Sequence, residues 1–224
     1  MFAHRADAGR RLAEKLEGYR SPRRDAPAGS DGELDSLAVV LGVPRGGVTV
    51  AAEVARELGL PLDVVVATKV GDPSNPEFAI GAVAADGEVH VNPAASMPAE
   101  EVRRLSGPAH AKVTREVALF RDGRTPLDLE DREVIIVDDG LATGLTALAA
   151  IGFLRRLGAI RVVLAVPVAP HDTALMLAGY VDELVVLETP PHFSAVGQFY
   201  RSFDQVEDSE VLELLNRARQ RTIG

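Results

Sequence analysis

Asp138 and Asp139 stand side by side, directly after the apolar run Val134-Ile135-Ile136-Val137 and directly before Gly140-Leu141-Ala142-Thr143-Gly144-Leu145-Thr146. A loop of small residues that ends at a helix start is an anion site. Consecutive backbone N–H groups at a helix N-terminus, with threonine hydroxyls added, suit a phosphate monoester. Gly140 and Gly144 let the backbone come close. The two carboxylates have the wrong sign for phosphate. They are the right type to accept hydrogen bonds from vicinal hydroxyls, or to hold Mg²⁺ through water. Carboxylates beside a phosphate cup describe a seat for a ribose 5-phosphate. A Walker A loop is absent, because Gly-x-x-x-x-Gly-Lys-Ser/Thr does not occur.

Two further places put positive charge beyond an apolar run. Pro44-Arg45-Gly46-Gly47 follows Leu37 to Val43 and opens a stretch of helical spacing. Lys69 follows Leu62 to Thr68 and is one of only three lysines, with Lys15 and Lys112. Taken alone, Arg-Gly-Gly is an ordinary loop and a lysine at a strand end is ordinarily solvated. Their positions relative to Asp138 and Asp139 make them candidates.

The elements that must place these residues are legible in the pattern. Phe2, Leu12 and Leu16, with Ala6, Gly9 and Ala13 between them, suit an amphipathic first helix ending near Gly18. Ser21 to Gly32 is a surface connection. Leu37 to Val43 is apolar on both faces, as a buried parallel strand is. Val48 to Leu58 is helical and Gly59 ends it. Leu62 to Ala67 is a second strand, which completes a βαβ unit. Phe78 to Ala84 and Glu88 to Asn92 read as a hairpin around Asp86-Gly87. Pro98 to Phe120 is helical but broken at Gly107-Pro108. Strands at 133–137, 161–166 and 183–187 alternate with helices, and Thr189 to Gln198 is loop. A last amphipathic helix at 207–219 turns Val211, Leu212, Leu214 and Leu215 inward. This alternation predicts an α/β fold with a doubly wound, mostly parallel sheet. Ligands in such sheets bind outside the C-terminal strand ends, near the switch point.

Val134 to Thr146 resembles the 13-residue phosphoribosyl pyrophosphate (PRPP) motif of the type I phosphoribosyltransferases. Four apolar residues, two acids and a Thr-Gly-x-Thr end all match. The resemblance covers roughly Leu37 to Leu187. The whole sequence is most similar to bacterial phosphoribosyltransferases of unassigned substrate, which share an N-terminal helix, Pro-Arg-Gly-Gly-Val and Asp-Asp-Gly-Leu-Ala-Thr-Gly. The resemblance implies a single domain over 1–224. Its core spans about 34–188, its small hood comes from about 1–32 and 189–224, and a flexible loop or hairpin is inserted. It implies that Asp138 and Asp139 hold the ribose hydroxyls and, indirectly, Mg²⁺. Ala142, Thr143, Gly144, Leu145 and Thr146 would hold the 5-phosphate. Arg45, Gly46, Gly47 and Lys69 would hold the pyrophosphate, with a strained or cis peptide in the short loop. Arg45, Lys69, Asp138 and Asp139 are the expected catalytic residues.

Between Val70 and Arg124 the family carries a mobile loop that closes over its site. Lys112, Arg115, Arg121 and Arg124 are candidates to reach the pyrophosphate, although each alone reads as a solvated helix charge. Asn75-Pro76-Glu77 reads as a turn or as a wall of the base or pyrophosphate site, and His110 as a surface histidine. Ala142 stands where hypoxanthine-type members carry an Asp, as in adenine, orotate and uracil members. A 6-oxopurine mechanism through that carboxylate is therefore not expected. Phe193, Phe199, Tyr200 and Phe203 gather four of the ten aromatic residues. They read either as core for the last helix or as a stacking platform for a base.

Composition sets the outer bounds. The chain has 224 residues, 24 Lys+Arg against 33 Asp+Glu, a formal charge of −9 and 46% hydrophobic residues. The charge argues against non-specific binding to nucleic acid or anionic membrane. The longest apolar stretch, Val162 to Ala169, is far below the roughly 20 residues of a membrane span. No cysteine is present, which removes disulfide scaffolds, thiolate metal sites and cysteine nucleophiles. A cytoplasmic location follows by default, the N-terminal segment reading as a helix and not as a transit peptide. The expected activity is Mg²⁺-dependent transfer of ribose 5-phosphate from PRPP to a base or related small-molecule acceptor, with pyrophosphate released. The alternative is a non-catalytic PRPP- or nucleotide-binding regulator of the same fold. A non-base amine acceptor stays open, and a homodimer through the apolar residues of the hairpin is a further expectation.

Overall fold

Among the described residues five strands form one parallel sheet, and the central ones come from runs that are apolar on both faces. The structure is a computed structural model that describes residues 1–21, 38–75, 78–123 and 128–223. The expected connection over 22–32, together with Leu37, Pro76, Glu77 and Arg124, lies outside these residues. Strands β1 (Ala38–Gly42), β2 (Leu62–Val64), β6 (Glu133–Val137), β7 (Arg161–Val168) and β8 (Glu183–Glu188) form one sheet in the order β2-β1-β6-β7-β8. All four pairings are parallel. Ala38 and Val40 of β1 and Ile135 and Val137 of β6 face one apolar cluster. It includes Leu12 and Leu16 of the N-terminal segment and Val48, Val54 and Leu58 of helix α2 (Gly46–Leu58). Val39, Leu41, Val134 and Ile136 face the opposite cluster, with Ala150, Ile151 and Leu154 of helix α5 (Leu145–Arg156). Full burial contributes about 1.5–3 kcal/mol per Val, Leu or Ile side chain, more than the weak strand propensity of an Ala or Gly costs. The doubly wound, mostly parallel sheet expected from the alternation is the observed one.

The segment Leu62 to Ala67 is not one strand. β2 stops at Val64, and β3 (Ala67–Gly71) belongs to a second, antiparallel sheet, β3-β4-β5, with β4 (Ala79–Ala84) and β5 (Val89–Val91). Val65 and Val66 are both buried, one in each apolar cluster, and carry the chain from sheet to sheet. A continuous apolar run cannot say which of two sheets it serves. The helical segment that follows the hairpin divides at the expected place into α3 (Ala99–Leu105) and α4 (Gly107–Arg121), and Ser106 links them. The hairpin itself lies where it was expected. Its strand β4 is buried along its whole length, against α5 and α4, so its apolar residues are used inside the chain. The half-exposed Val89 and Val91 of β5 and the exposed Phe78 are the apolar residues the hairpin leaves toward solvent.

Helix α1 (Arg5–Lys15) packs on α2, and a short 3-10 turn (Glu17–Tyr19) follows it. Beyond β8, the expected loop contains a 3-10 turn at Val196–Phe199, and the last helix, α7, runs Asp208–Ile223. Ahead of α1, Phe2 pairs with the segment around Tyr200. Phe2 N donates to Phe199 O at 2.8 Å, and Arg201 N donates to Phe2 O at 2.9 Å. Helix α6 (His171–Ala178) joins β7 to β8.

Candidate active site

β1 and β6 are neighbours, with Gly42 paired to Val137, yet their chains leave toward opposite edges of the sheet. This is the switch point, and whatever follows the two strands emerges side by side. Pro44-Arg45-Gly46-Gly47 follows β1, and Asp138-Asp139 follows β6. Val43 N donates to Val137 O at 2.9 Å and keeps the two exits together. The Pro44–Arg45 peptide is cis. A Cβ on Gly46 would lie 2.0 Å from Asp139 Oδ2, and one on Gly47 would lie 2.7 Å from Val137 O and 2.8 Å from Asp138 Cα. Only glycine fits at either place, so the start of α2 rests directly on the two aspartates.

The aspartates are held by contacts from distant parts of the chain. Arg5 Nε donates to Asp139 Oδ2 at 2.8 Å, and the two side chains are only 11% and 16% exposed. Arg5 Nη1 donates to Asp204 O at 2.8 Å, and the guanidinium lies 3.8 Å over the Phe203 ring. The Tyr200 hydroxyl donates to Asp139 O at 2.6 Å, and Asp139 N donates to Asp138 Oδ1 at 2.8 Å. Burial pushes the Asp138 carboxyl well above the usual range, and the neighbouring charge of Asp139 adds to the rise. Burial also raises Asp139, but the Arg5 guanidinium pulls it back. Of the pair, Asp139 is thus the one better held in its charged form. Burial likewise raises the Tyr200 phenol, with Asp139 contributing, which keeps it a donor.

The loop after Asp139 is pinned at two points. Leu141 N donates to Val168 O at 2.9 Å, and Thr173 Oγ1 of α6 donates to Ala142 O at 2.8 Å. Ala142 and Thr143 are exposed, while Gly144, at φ 74°, is the N-cap of α5. No side chain caps this helix, so its first N–H groups face the loop. Leu145 is buried under the loop, and Thr146 is part-buried in the first turn.

The remaining expected residues scatter. Arg45 Nη1 lies 3.7 Å from Asp208 Oδ1, at the start of α7, and both side chains are well exposed. Lys69 stands at the exposed position of β3, opposite Ala82, in the second sheet. Lys112 ties α4 to β3, its Nζ donating to Thr68 Oγ1 at 3.1 Å, and it also pairs with Glu116. Arg121 does not reach the carboxylates. It lines a small interior cavity with Asp63, Leu129 and Phe153, and its Nη1 is buried there. Arg115 is exposed on α4. Asn75 closes a turn in which Ser74 Oγ donates to Asp72 Oδ1 at 2.6 Å. The aromatic cluster packs mostly on itself. Phe193 stacks on Phe199 at 5.4 Å, Tyr200 meets Phe203 at 5.0 Å, and Phe2 meets Tyr200 at 5.4 Å. These rings serve as packing, and Arg5 covers Phe203. Arg5 is the site residue that sequence reasoning missed. It lies 134 positions from its partner, and no local pattern marks it.

Among the described residues no helix is long and apolar enough to cross a membrane. Among them, too, no group of three or more His, Cys, Asp or Glu converges on a metal position.

A parallel sheet whose switch point carries an aspartate pair, a glycine loop and an open helix N-terminus is the frame of the phosphoribosyltransferases. The chain belongs to that family: the family model for the phosphoribosyl transferase domain matches residues 5–204. Two curated proteins from two strains of Mycobacterium tuberculosis, each named "Putative phosphoribosyl transferase" (MT0597 and Rv0571c), are 44% identical over 230 residues, which is 98% of this chain and 47% of theirs. The chain thus spans about half the length of the curated relatives it matches. The crystal structure of TT1426 from Thermus thermophilus superposes with a TM-score of 0.77 at 38% identity, covering 97% of this chain and 98% of that one.

Proposed function

We propose that the chain transfers ribose 5-phosphate from PRPP to a nitrogen acceptor and releases pyrophosphate. The observation that carries this reading is the contact of Gly46 and Gly47 with Asp138 and Asp139 at the switch point. It places an N–H-rich helix start and a carboxylate pair within one substrate's length. The carboxylates accept hydrogen bonds from the ribose hydroxyls. The loop 142–146 and the α5 N-terminus take the 5-phosphate. The Gly46 and Gly47 N–H groups, with Arg45, stabilise charge that develops on the departing pyrophosphate. Lys69 joins them only if the second sheet brings it over the site. The fixed ribose orients C1 toward the acceptor.

The donor set suits Mg²⁺, which is ordinarily held by one or two carboxylates together with substrate phosphates and waters, not by a full protein cage. Asp138 and Asp139 would hold it, directly or through water and the ribose hydroxyls. When bound it would neutralise charge on the pyrophosphate.

One observation favours the second reading, a PRPP- or nucleotide-binding regulator. Asp139 Oδ2 is already taken by Arg5. The experiment that separates the two is pyrophosphate release from PRPP with Mg²⁺ across an acceptor panel, alongside Asp139→Asn. Release with one acceptor, reduced at least a hundredfold in Asp139→Asn, is the expected result. PRPP binding without release for any acceptor supports the regulator.

A further inference from the structure

Beside the aspartate pair, across Arg5, lies a second space whose lining includes neither the loop 44–47 nor the loop 138–146. A cleft of about 220 Å³ opens between the start of α1, the first turn of α2 and the segment 202–210. Arg5, Thr49, Ser202, Asp204, Gln205 and Glu210 line it, and its lining contains no Phe or Tyr ring. Arg5 is the shared wall: one edge of its guanidinium holds Asp139, and Nη1 holds the Asp204 carbonyl at the cleft. Thr49 sits three residues beyond Gly46, and its hydroxyl oxygen is buried without a hydrogen-bond partner. The wall thus holds an unsatisfied hydroxyl whose oxygen is closed off in the free chain.

Resting on the transfer reading above, we infer that this cleft receives the acceptor, and that the acceptor is a small, N–H-rich, neutral or cationic compound, not one bearing a carboxylate. Three observations carry this. The first is charge. Asp204 and Glu210 present carboxylates and Gln205 an amide, while Arg5 Nε and Nη1 are already engaged with Asp139 and the Asp204 carbonyl. His4, the other basic residue there, accepts from Asp7 N through Nδ1. A carboxylate in this cleft would meet two like charges, with Arg5 Nε and Nη1 already engaged. The second is size. About 220 Å³ lies below the roughly 300–1,000 Å³ of ordinary small-molecule sites, so a single ring system or a smaller amine suits it. The third is the lining. With the Phe193, Phe199 and Tyr200 rings packed on one another and Phe203 under Arg5, recognition falls to hydrogen bonds. In the transfer, an acceptor that enters as an ammonium first gives one proton to water, and the nitrogen's lone pair then forms the bond to C1. The C1–O bond breaks with its electron pair going to pyrophosphate, and the nitrogen's surplus proton leaves to water through the open mouth.

The test uses the full chain with PRPP and Mg²⁺. Adenine, cytosine and ammonium are the N–H-rich probes; orotate and nicotinate are the carboxylates. PRPP binding, measured by titration without acceptor, checks the underlying reading by itself. The inference is checked by which probe supports pyrophosphate release. Release with an N–H-rich probe and none with the carboxylates is expected. A hydrogen bond to a charged group corresponds to about a tenfold to hundredfold change, so Glu210→Gln should raise the probe's KM by about tenfold or more while the KM for PRPP stays within about twofold. Glu210→Lys should move preference toward the carboxylates. Glu210 is exposed, so both variants should fold, and their melting curves verify this. Release with orotate or nicotinate in the wild type, or an unchanged probe KM in Glu210→Gln, overturns the inference and leaves the transfer reading standing. PRPP binding with no release for any probe overturns it in favour of the regulator. Absence of PRPP binding removes the transfer reading and this inference together.

Discussion

The floor and the wall of the site are built in different ways. The floor consists of two strand-to-helix turns, 43–47 and 138–146, and backbone makes most of it. The wall consists of Arg5, Tyr200, Phe203 and Asp204, and long-range side-chain contacts make it. A floor of backbone tolerates no added atom. A wall of side chains tolerates substitution but sets how the carboxylates are charged and aimed. The two should therefore fail differently.

The floor should break hardest. A methyl at Gly47 would meet Val137 O at 2.7 Å and Asp138 Cα at 2.8 Å, both backbone atoms that cannot swing aside. Gly47→Ala should cost about 1–3 kcal/mol of stability by overpacking. Displacing the start of α2 by about 1 Å should also lower kcat/KM for PRPP about a hundredfold or more. Denaturant unfolding and initial rates read the two losses. A variant with wild-type rates would show that the loop does not bear on the substrate.

This difference explains what the sequence revealed. The strand at 133–137, the aspartates, the small-residue loop and the glycine pair are contiguous, so their chemistry could be read locally. The hairpin and the break at Gly107-Pro108 were legible for the same reason. The sheet change at Val65-Val66 was not, because both residues are equally buried on either side of it. Arg121, a candidate to reach the pyrophosphate that alone reads as a solvated helix charge, lines an interior cavity instead. Arg5 lies in an N-terminal segment whose pattern marks only a helix. Its partner and its covering ring lie 134 and 198 positions away, and only folding joins them.

The wall should fail more gently, and the way it fails sharpens the functional reading. Arg5→Met keeps the length of the side chain and removes its two hydrogen bonds. If Arg5 aims Asp139 at the ribose, the KM for PRPP should rise about tenfold, the equivalent of one charge-assisted hydrogen bond, with a smaller change in kcat. That is the expected outcome, and steady-state kinetics reads it. Tighter PRPP binding after the substitution would instead mean that Arg5 competes with the ribose, as a regulator's internal plug would.

The smallest effect separates the two aspartates from each other. Both carboxyls are raised in the folded chain, Asp138 well above its ordinary 3.8 and for want of solvent first, Asp139's charge second. A raised carboxyl binds protons more readily folded than unfolded. Stability therefore falls as pH climbs from the unfolded value through the folded one, and the buried charge is a liability above it. Asp138→Asn removes that charge and keeps the shape. It should raise the melting temperature at pH 8, by about 2–4 °C for each kcal/mol recovered, and the gain should vanish as pH falls below the ordinary carboxyl value of 3.8, where the carboxyl is protonated in both states. Asp139→Asn should gain less, because its charge is already met by Arg5 and its loss leaves that guanidinium with one partner fewer. Equal gains for the two variants would mean that the wall does not distinguish them, and that the arginine is an ornament of the floor and not its support.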